Sequence, residues 1–310
     1  MLFDCIVVGG GPAGSICSFI LQKQGIQCLL LEKRTVIDEK ICGGFLPERC
    51  RNRILACGID LTDLIPNGNR IDGYYEMQNK ELKSFFYKKN QYGIGISRKI
   101  LDTFFINQSR LAGTTVVCGE TVCDYKKKDG LYQINGYQGK HIIWATGAKP
   151  PLSIKAFEKH AVQEILDRQS VGISEIVQID KCCFNSHVVY FWYTEGLNDY
   201  FWAIPLSENI WNIGYWTQED RANLKRNFIT GRIKYIESRC NKIRTIRSPK
   251  GALLGNVDFS DCLIEKDMFC CGDLAGTNNI FTGEGLAQSV QSAKETANMI
   301  IRRTKRRGNL

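Results

Sequence analysis

Near the start of the chain, Gly9-Gly10-Gly11-Pro12-Ala13-Gly14 satisfies G-x-G-x-x-G. In such a turn the first glycine allows a tight bend and the second lets backbone approach a pyrophosphate. The third lets a helix pack closely on a strand. A helix starting there aims unpaired N–H groups and a partial positive charge at phosphates. An acidic residue, Glu32, follows about twenty positions on, as the fingerprint requires. Its carboxylate suits ribose hydroxyls and disfavours a 2′-phosphate, so these residues predict dinucleotide binding.

Further along, Gly43 and Gly44 mark backbone passing close to something, either a turn or the face of a bound ring. The three histidines, His141, His160 and His187, are scattered, and the 14 cysteines include no C-x-x-C. Neither a metal site nor a disulfide framework is expected. Cys5, Cys17, Cys28 and Cys262 sit in apolar stretches, where cysteine acts as a small hydrophobe and free thiols suit a reducing compartment.

The elements that must position these groups follow from periodicity. Phe3–Val8 is an apolar run of strand length. Ala13, Ile16, Cys17, Ile20 and Leu21 then recur with helical spacing, Gly25 reads as a C-cap, and residues 27–31 form a second buried strand. Residues 71–93 read as a short strand pair. Ser97 reads as the N-cap of a helix buried through Leu101, Phe104, Phe105 and Leu111. A strand follows at 113–117, and residues 120–140 form an antiparallel meander turning at Lys128-Asp129-Gly130 and at Gly136. His141–Ala148 is a strand ending in a glycine turn.

Strands rich in aromatic residues dominate from Pro150 to about residue 217, with turns at Glu195-Gly196 and 207–209, and basic helical sequence is expected from 219 to 244. The aromatic face would serve either as core or as the wall of an apolar substrate cavity. Asp267–Cys271 is a buried strand. The last helix carries Leu286, Val290, Ala293, Ala297, Ile300 and Ile301 on one stripe.

At 310 residues, 44% hydrophobic and 24% charged, the composition suits one or two globular domains. No apolar run reaches the roughly 18 residues that span a bilayer, and the N-terminus reads as a strand rather than a signal peptide. A cytoplasmic location is expected. The net charge of +9 is dispersed except at Arg302, Arg303, Lys305, Arg306 and Arg307. That cluster fits either a contact with anionic lipid or a phosphorylated substrate, or a solvated helix end whose cations complement its dipole. No nucleic-acid motif accompanies it.

Taken in order, GGGPAGS near residue 10, KICGG at 40–44, SRKILD at 97–102, ATGA at 145–148, DYFWAIP at 199–205 and GDLAG…TGEGL at 272–286 resemble the FAD-dependent geranylgeranyl reductase-like flavoproteins. That family lies within the group that includes p-hydroxybenzoate hydroxylase and the flavin halogenases. The resemblance spans nearly the whole chain. It implies an α/β fold: a Rossmann-like FAD-binding domain of the p-hydroxybenzoate hydroxylase type, with an inserted antiparallel β-sheet substrate domain. The expected division is 1–70, 94–149 and 260–310 for FAD, and 71–93 and 150–259 for substrate.

By the same resemblance, Gly9, Gly11, Pro12, Ala13, Gly14, Glu32 and Lys33 hold the adenosine and pyrophosphate end, and Arg98 lies beside the phosphates. Asp273, with Gly272, meets the ribityl chain, and Ala145 and Gly147 belong to the cofactor cleft. Gly283, Glu284, Gly285 and Leu286 lie against the flavin, as do Cys42, Gly43 and Gly44. Cys42 is the one catalytic candidate that the motif offers, since no histidine is well placed as an acid. Tyr200 and Trp202 are the candidate substrate contacts. Two departures stand out: Phe45 replaces a third glycine, and Ile280 replaces a proline. The larger reductases also carry a further segment after the last helix.

The implied activity is FAD-dependent reduction of a C=C bond in a hydrophobic, prenyl-like substrate, with NAD(P)H as a transient donor or a donor protein supplying electrons. A flavin monooxygenase or halogenase acting on a small aromatic substrate, and a non-catalytic FAD-binding protein, are the alternatives.

Overall fold

The computed structural model describes residues 1–78, 81–148, 170–194, 199–218, 220–254, 263–277 and 283–306. Strand β1 (Leu2–Val8) leads into helix α1 (Pro12–Lys23) and returns as β2 (Cys28–Glu32). β1 and β2 pair in parallel, so α1 must cross over one face of the sheet. Residues further on form β3 (Phe45–Leu46), α2 (Glu48–Leu55), β4 (Asn69–Ile71), β5 (Gly73–Gln78), β6 (Glu81–Phe86), β7 (Gly93–Gly95) and α3 (Arg98–Leu111). Next come β8 (Thr115–Cys118), β9 (Lys126–Lys128), β10 (Leu131–Ile134) and β11 (Tyr137–Trp144). The chain continues through β12 (Ser170–Cys182), β13 (Val188–Tyr193), β14 (Asp199–Pro205), β15 (Ile210–Thr217), α4 (Leu224–Gly231) and β16 (Cys240–Leu254). It closes with β17 (Leu263–Glu265), β18 (Met268–Cys270) and α5 (Leu286–Arg306).

Two large sheets result. The first runs β17-β18-β11-β1-β2-β8, with β10 and β9 appended through β11. Its β18-β11-β1-β2-β8 stretch is parallel, and α1 packs between that sheet, α3 and α5. Core residues such as Ile16, Cys17, Leu30, Phe105, Val290 and Ala293 are buried, and a fully buried aliphatic or Phe side chain contributes roughly 1.5–3 kcal/mol. Ligands of such folds bind outside the carboxyl ends of the parallel strands. Here those ends gather Gly9, Glu32, Ala145 and Cys271: Gly9 N donates to Leu31 O, Ala145 N to Val8 O and Cys271 N to Trp144 O.

The second sheet runs β16-β12-β15-β14-β13-β5-β6 and draws strands from residues 73–86 and 170–254 into one layer. Period-two alternation divides its aromatics between two faces. One face carries Trp192, Phe201 and Tyr215, packed with Phe228 of α4. The other carries Val189, Phe191, Tyr193, Tyr200, Trp202 and Trp216. A three-stranded sheet, β3-β7-β4, takes its strands from Phe45–Leu46, Asn69–Ile71 and Gly93–Gly95, so that β4 and β7 flank β5 and β6 in sequence.

Ser97 caps α3 through its side chain, which accepts from Ile100 N. The meander turns where expected, with Asp129, Gly130, Asn135 and Gly136 all at positive φ. Three readings need correction. Helical sequence does not run to 244: α4 passes into a π-type turn at Arg232–Glu237, and Cys240 onward is β16, whose long antiparallel ladder with β12 overrides local propensity. Leu111 is 81% exposed rather than buried, and Ile106 and Ser109 fill the inner face of α3 instead. The 141–148 strand begins earlier, at Tyr137, and ends at Trp144. The expected Glu195-Gly196 turn, Cys262, His160, Ile280 and Arg307 lie outside the described residues. Among the described residues no helix is long and apolar enough to cross a membrane.

Candidate cofactor and substrate site

Gly9 has φ +112°, and a Cβ there would lie 2.3 Å from Ala145 O. A Cβ on Gly14 would lie 2.0 Å from Gly9 O, so both glycines are forced by neighbouring backbone. Gly11 is different, because its missing Cβ would meet nothing within 4 Å. That open space stands at the N-terminus of α1, which has Gly11 as N-cap, Pro12 in its first turn, no side-chain cap and no acidic residue in its first turn. The helix start thus carries no acidic residue or side-chain cap of its own, and the cradle fits a pyrophosphate.

Glu32 is 4% exposed at the tip of β2. Its Oε2 accepts from Gly10 N at 2.7 Å, and its Oε1 accepts from Arg34 N at 3.0 Å and Arg34 Nε at 2.7 Å. Burial pushes this carboxyl up, but the Arg34 side chain, the Gly10 and Arg34 amides and the Arg34 charge together hold it below its ordinary value. An ionised carboxylate thus joins the glycine turn to β2, and with three of its roughly four acceptor sites used it keeps about one for a ribose hydroxyl. The adjacent Lys33 is exposed. Arg34 is the cation that engages the site, and the sequence reading missed it.

Gly272 N donates to Ser292 Oγ at 2.9 Å, and a Cβ at Gly272 would come within 2.8 Å of the Ala13 Cβ. The Gly272–Ala275 3₁₀ turn and the start of α1 are therefore direct neighbours. Asp273 Oδ2 stands 3.8 Å from Lys40 Nζ, which in turn lies 3.9 Å from the position a Cβ would take on Gly147. Lys40 thereby connects Gly147 with Asp273, a second cation that the motif reading left out.

Arg98 is 5% exposed and forms a bidentate pair with Asp102, Nε to Oδ1 at 2.8 Å and Nη2 to Oδ2 at 3.0 Å. Burial alone would lower its pKa, yet Asp102 and the Cys42 side chain, also within hydrogen-bonding reach, raise it. The N-terminus of α3 is covered by Glu39, which accepts from Ser97 Oγ, Arg98 N and Lys99 N. The i,i+4 spacing of Arg98 and Asp102 was available as a signal for this pair.

Gly43 and Gly44 owe their identity to protein neighbours. A Cβ on Gly43 would come within 2.5 Å of Ile204 Cδ1, and one on Gly44 (φ +78°) within 2.5 Å of Ile96 O. Behind this loop, Trp202 Nε1 donates to Asn212 Oδ1 at 3.0 Å, and Asn212 Nδ2 donates to the Cys42 carbonyl at 2.7 Å. Trp202 also lies across Gly214, where a Cβ would collide with the indole. It backs the wall of the cavity described next. Tyr200 lies on that wall.

The cavity, about 450 Å³, opens between three segments: Cys42–Phe45, Gly283–Leu286 and the sheet face bearing Tyr74, Glu76, Phe191, Tyr193 and Tyr200. Gly283 has φ +65°, and a Cβ on it would stand 3.0 Å from both Tyr200 Oη and Trp216 Nε1. The segment entering α5 therefore rests on the sheet. Arg49 pairs with Glu284 at the margin, and both line the cavity. Of the site residues expected from sequence, Cys42, Gly43, Gly44, Tyr200 and Gly283–Leu286 meet at this cavity. Gly9, Gly14 and Ala145 meet at the strand tips, with Gly272 against Ala13.

Residues 3–50 match the family model described as an FAD binding domain. The chain is 25% identical to digeranylgeranylglycerophospholipid reductase 1 of Methanococcoides burtonii, over 94% of this chain and 72% of that one. Its structure is similar to that of a geranylgeranyl bacteriochlorophyll reductase-like protein from Thermoplasma acidophilum, with TM-score 0.80 and 18% identity over 99% of this chain and 80% of the other. The flavin-dependent brominase Bmp2 shares the fold at TM-score 0.78 and 16% identity, over 98% and 80% of the two chains.

Proposed function

We propose that the chain is an FAD-dependent geranylgeranyl reductase-like flavoprotein that reduces a C=C bond of a prenyl-like substrate held in the 450 Å³ cavity. The observation that carries this reading is the composition of that cavity. The Cys42–Gly44 and Gly283–Leu286 segments face an aromatic sheet wall across a space lined mostly by apolar groups. A reductase of isoprenoid chains needs such a wall, because a branched hydrocarbon offers almost nothing to hydrogen-bond.

In this proposal Gly9, Gly11, Pro12, Ala13, Gly14, Glu32 and Arg34 hold the adenosine and pyrophosphate end of FAD. Lys40, Ala145, Gly147, Gly272 and Asp273 line the middle of the cleft. Gly283–Leu286 would hold the flavin end, and the positive end of α5 would favour negative charge there. FAD supplies hydride chemistry when bound and reduced. The protein's task is to hold the alkene against it, exclude water and furnish a proton. Asn212 and Gly43 fix the Cys42 loop against the sheet, and Tyr200 shapes the substrate wall. NAD(P)H or a donor protein would supply the electrons. A peripheral membrane contact through Arg302, Arg303 and Lys305 belongs to the same proposal. Residues 71–93 and 150–259 serve it as the substrate-binding part, and the remainder as the FAD-binding part.

The test is anaerobic photoreduction of the FAD-loaded protein followed by reoxidation with polyprenyl alkenes. Stoichiometric alkene saturation is expected, and failure to reoxidise with any alkene overturns the reading. The brominase-like fold favours one rival, an oxygen-using halogenase or monooxygenase. Substrate-stimulated oxygen consumption, with a hydroxylated or halogenated aromatic product, would identify it.

A further inference from the structure

The aromatic wall of the cavity carries one carboxylate. Glu76 lies on β5, opposite Phe191 of β13 and Lys83 of β6, and shares its face with Tyr74. Among the described residues nothing donates a hydrogen bond to it. Lys83, its cross-strand neighbour, turns its ammonium to Gln78 Oε1 at 2.8 Å. Glu76 is half-buried and is the acidic side chain on an otherwise aromatic stretch of sheet that lines the cavity.

We infer that Glu76 is the proton donor to the substrate alkene. This rests on the reductase reading above. Reduction of C=C needs a hydride at one carbon and a proton at the other. The alkene's π pair forms the new C–H bond to the proton, the Glu76 O–H bond breaks and leaves a carboxylate, and the second carbon takes its hydride from the reduced cofactor. Solvent reprotonates Glu76 through the open mouth of the cavity.

The surroundings favour this acid over its neighbours. Burial raises the Glu76 pKa, with Lys83 opposing, so the carboxyl keeps its proton to higher pH than an ordinary glutamate. Burial also raises the phenols of Tyr74, Tyr193 and Tyr200, further from the range in which they could give up a proton near neutrality. On the opposite wall Glu284 is engaged by Arg49, Glu48 accepts from Asn52, and Cys42 lies against Arg98. Glu76 is thus the carboxyl on the aromatic wall, tuned toward its protonated form.

The test compares Glu76→Gln and Glu76→Asp with the wild-type holoenzyme, photoreduced and mixed with a polyprenyl alkene. FAD and alkene affinities are expected to stay within about twofold. Alkene reduction should fall by about 10²–10⁴-fold in Glu76→Gln, the usual worth of a general acid, and partly recover in Glu76→Asp. The wild-type rate should decline as pH rises through the Glu76 titration, and that limb should vanish in Glu76→Gln. Independently of turnover, ¹³C-carboxyl NMR of the protein should show one resonance, absent in Glu76→Gln, titrating above the ordinary value of about 4.3. Unchanged alkene reduction in Glu76→Gln, or a resonance titrating at or below that value, overturns the inference. A wild type that reduces no alkene instead overturns the parent reading, while the NMR titration still reports on Glu76.

Discussion

Asn212 donates its side-chain N–H to the carbonyl of Cys42 at 2.7 Å, tying the middle of β15 to a loop 170 residues earlier. The amide orientation is dictated by its partners, since Trp202 Nε1 is only a donor and a carbonyl only an acceptor. At 1% exposure, Asn212 cannot exchange these bonds for water. Replacing it with Leu strands both the indole N–H and the Cys42 carbonyl, at about 1–3 kcal/mol for each buried group left unpaired. Asn212→Leu should therefore lower the denaturant midpoint and slow alkene reduction, since the Cys42 loop loses its anchor. Equal stability and equal turnover would show that the loop is held by Ile204 and Ile96 alone.

Gly9 and Gly11 should separate folding from cofactor binding. Gly9→Ala forces a Cβ to 2.3 Å from Ala145 O at φ +112°, so the variant should be strongly destabilised before any cofactor is considered. Gly11 has φ −71° and open space beside it, so Gly11→Ala should fold with an unchanged melting temperature without FAD. It should nonetheless bind FAD at least tenfold more weakly, because the methyl group occupies the cradle. Thermal melts of the FAD-free proteins and flavin-fluorescence titrations read the two effects separately. Tight FAD binding by Gly11→Ala would remove the pyrophosphate from that place.

Glu32 links pH to both stability and FAD affinity. Its folded pKa is lowered, so its contribution to stability is fully present above the ordinary carboxylate value of about 4.3 and is lost as pH falls through the lower folded value. Denaturant midpoints should drop on acidification below about pH 4 more steeply in wild type than in Glu32→Gln. Glu32→Ala should also weaken FAD by about 10–100-fold, the worth of charge-assisted hydrogen bonds to ribose. Equal FAD affinity would remove the ribose role.

Much of the cofactor end was legible because its parts are local: a glycine turn, an apolar stripe and an acid on the next strand share thirty-odd residues. What escaped depends on long-range register. Lys40 meets Asp273 only once β18 has paired with β11, and Asn212 meets Cys42 and Glu76 joins the aromatic wall only once the parallel β5–β13 pairing and the β14–β15 hairpin have formed. Residues 240–244 show the same limit, reading as basic helix until β12 supplies a partner strand. Trp202, singled out by its motif, turned out to back the wall through Gly43 and Gly214, a contact no spacing encodes.

The buried Arg98–Asp102 pair gives the last prediction. Asp102 is fully buried and Arg98 nearly so, and both carboxylate oxygens are used by the guanidinium. Removing one partner leaves an uncompensated buried charge, whereas removing both can be nearly neutral. Asp102→Ala should therefore cost about 3–5 kcal/mol in denaturant unfolding, well beyond the loss of a surface ion pair. The double variant Arg98→Met, Asp102→Leu should regain most of that stability. If Arg98 also serves the cofactor, the double variant should bind FAD more weakly than wild type despite its recovered fold. Recovered stability with wild-type FAD affinity would make Arg98 a packing residue that positions Cys42 and α3, with no part in holding the phosphates.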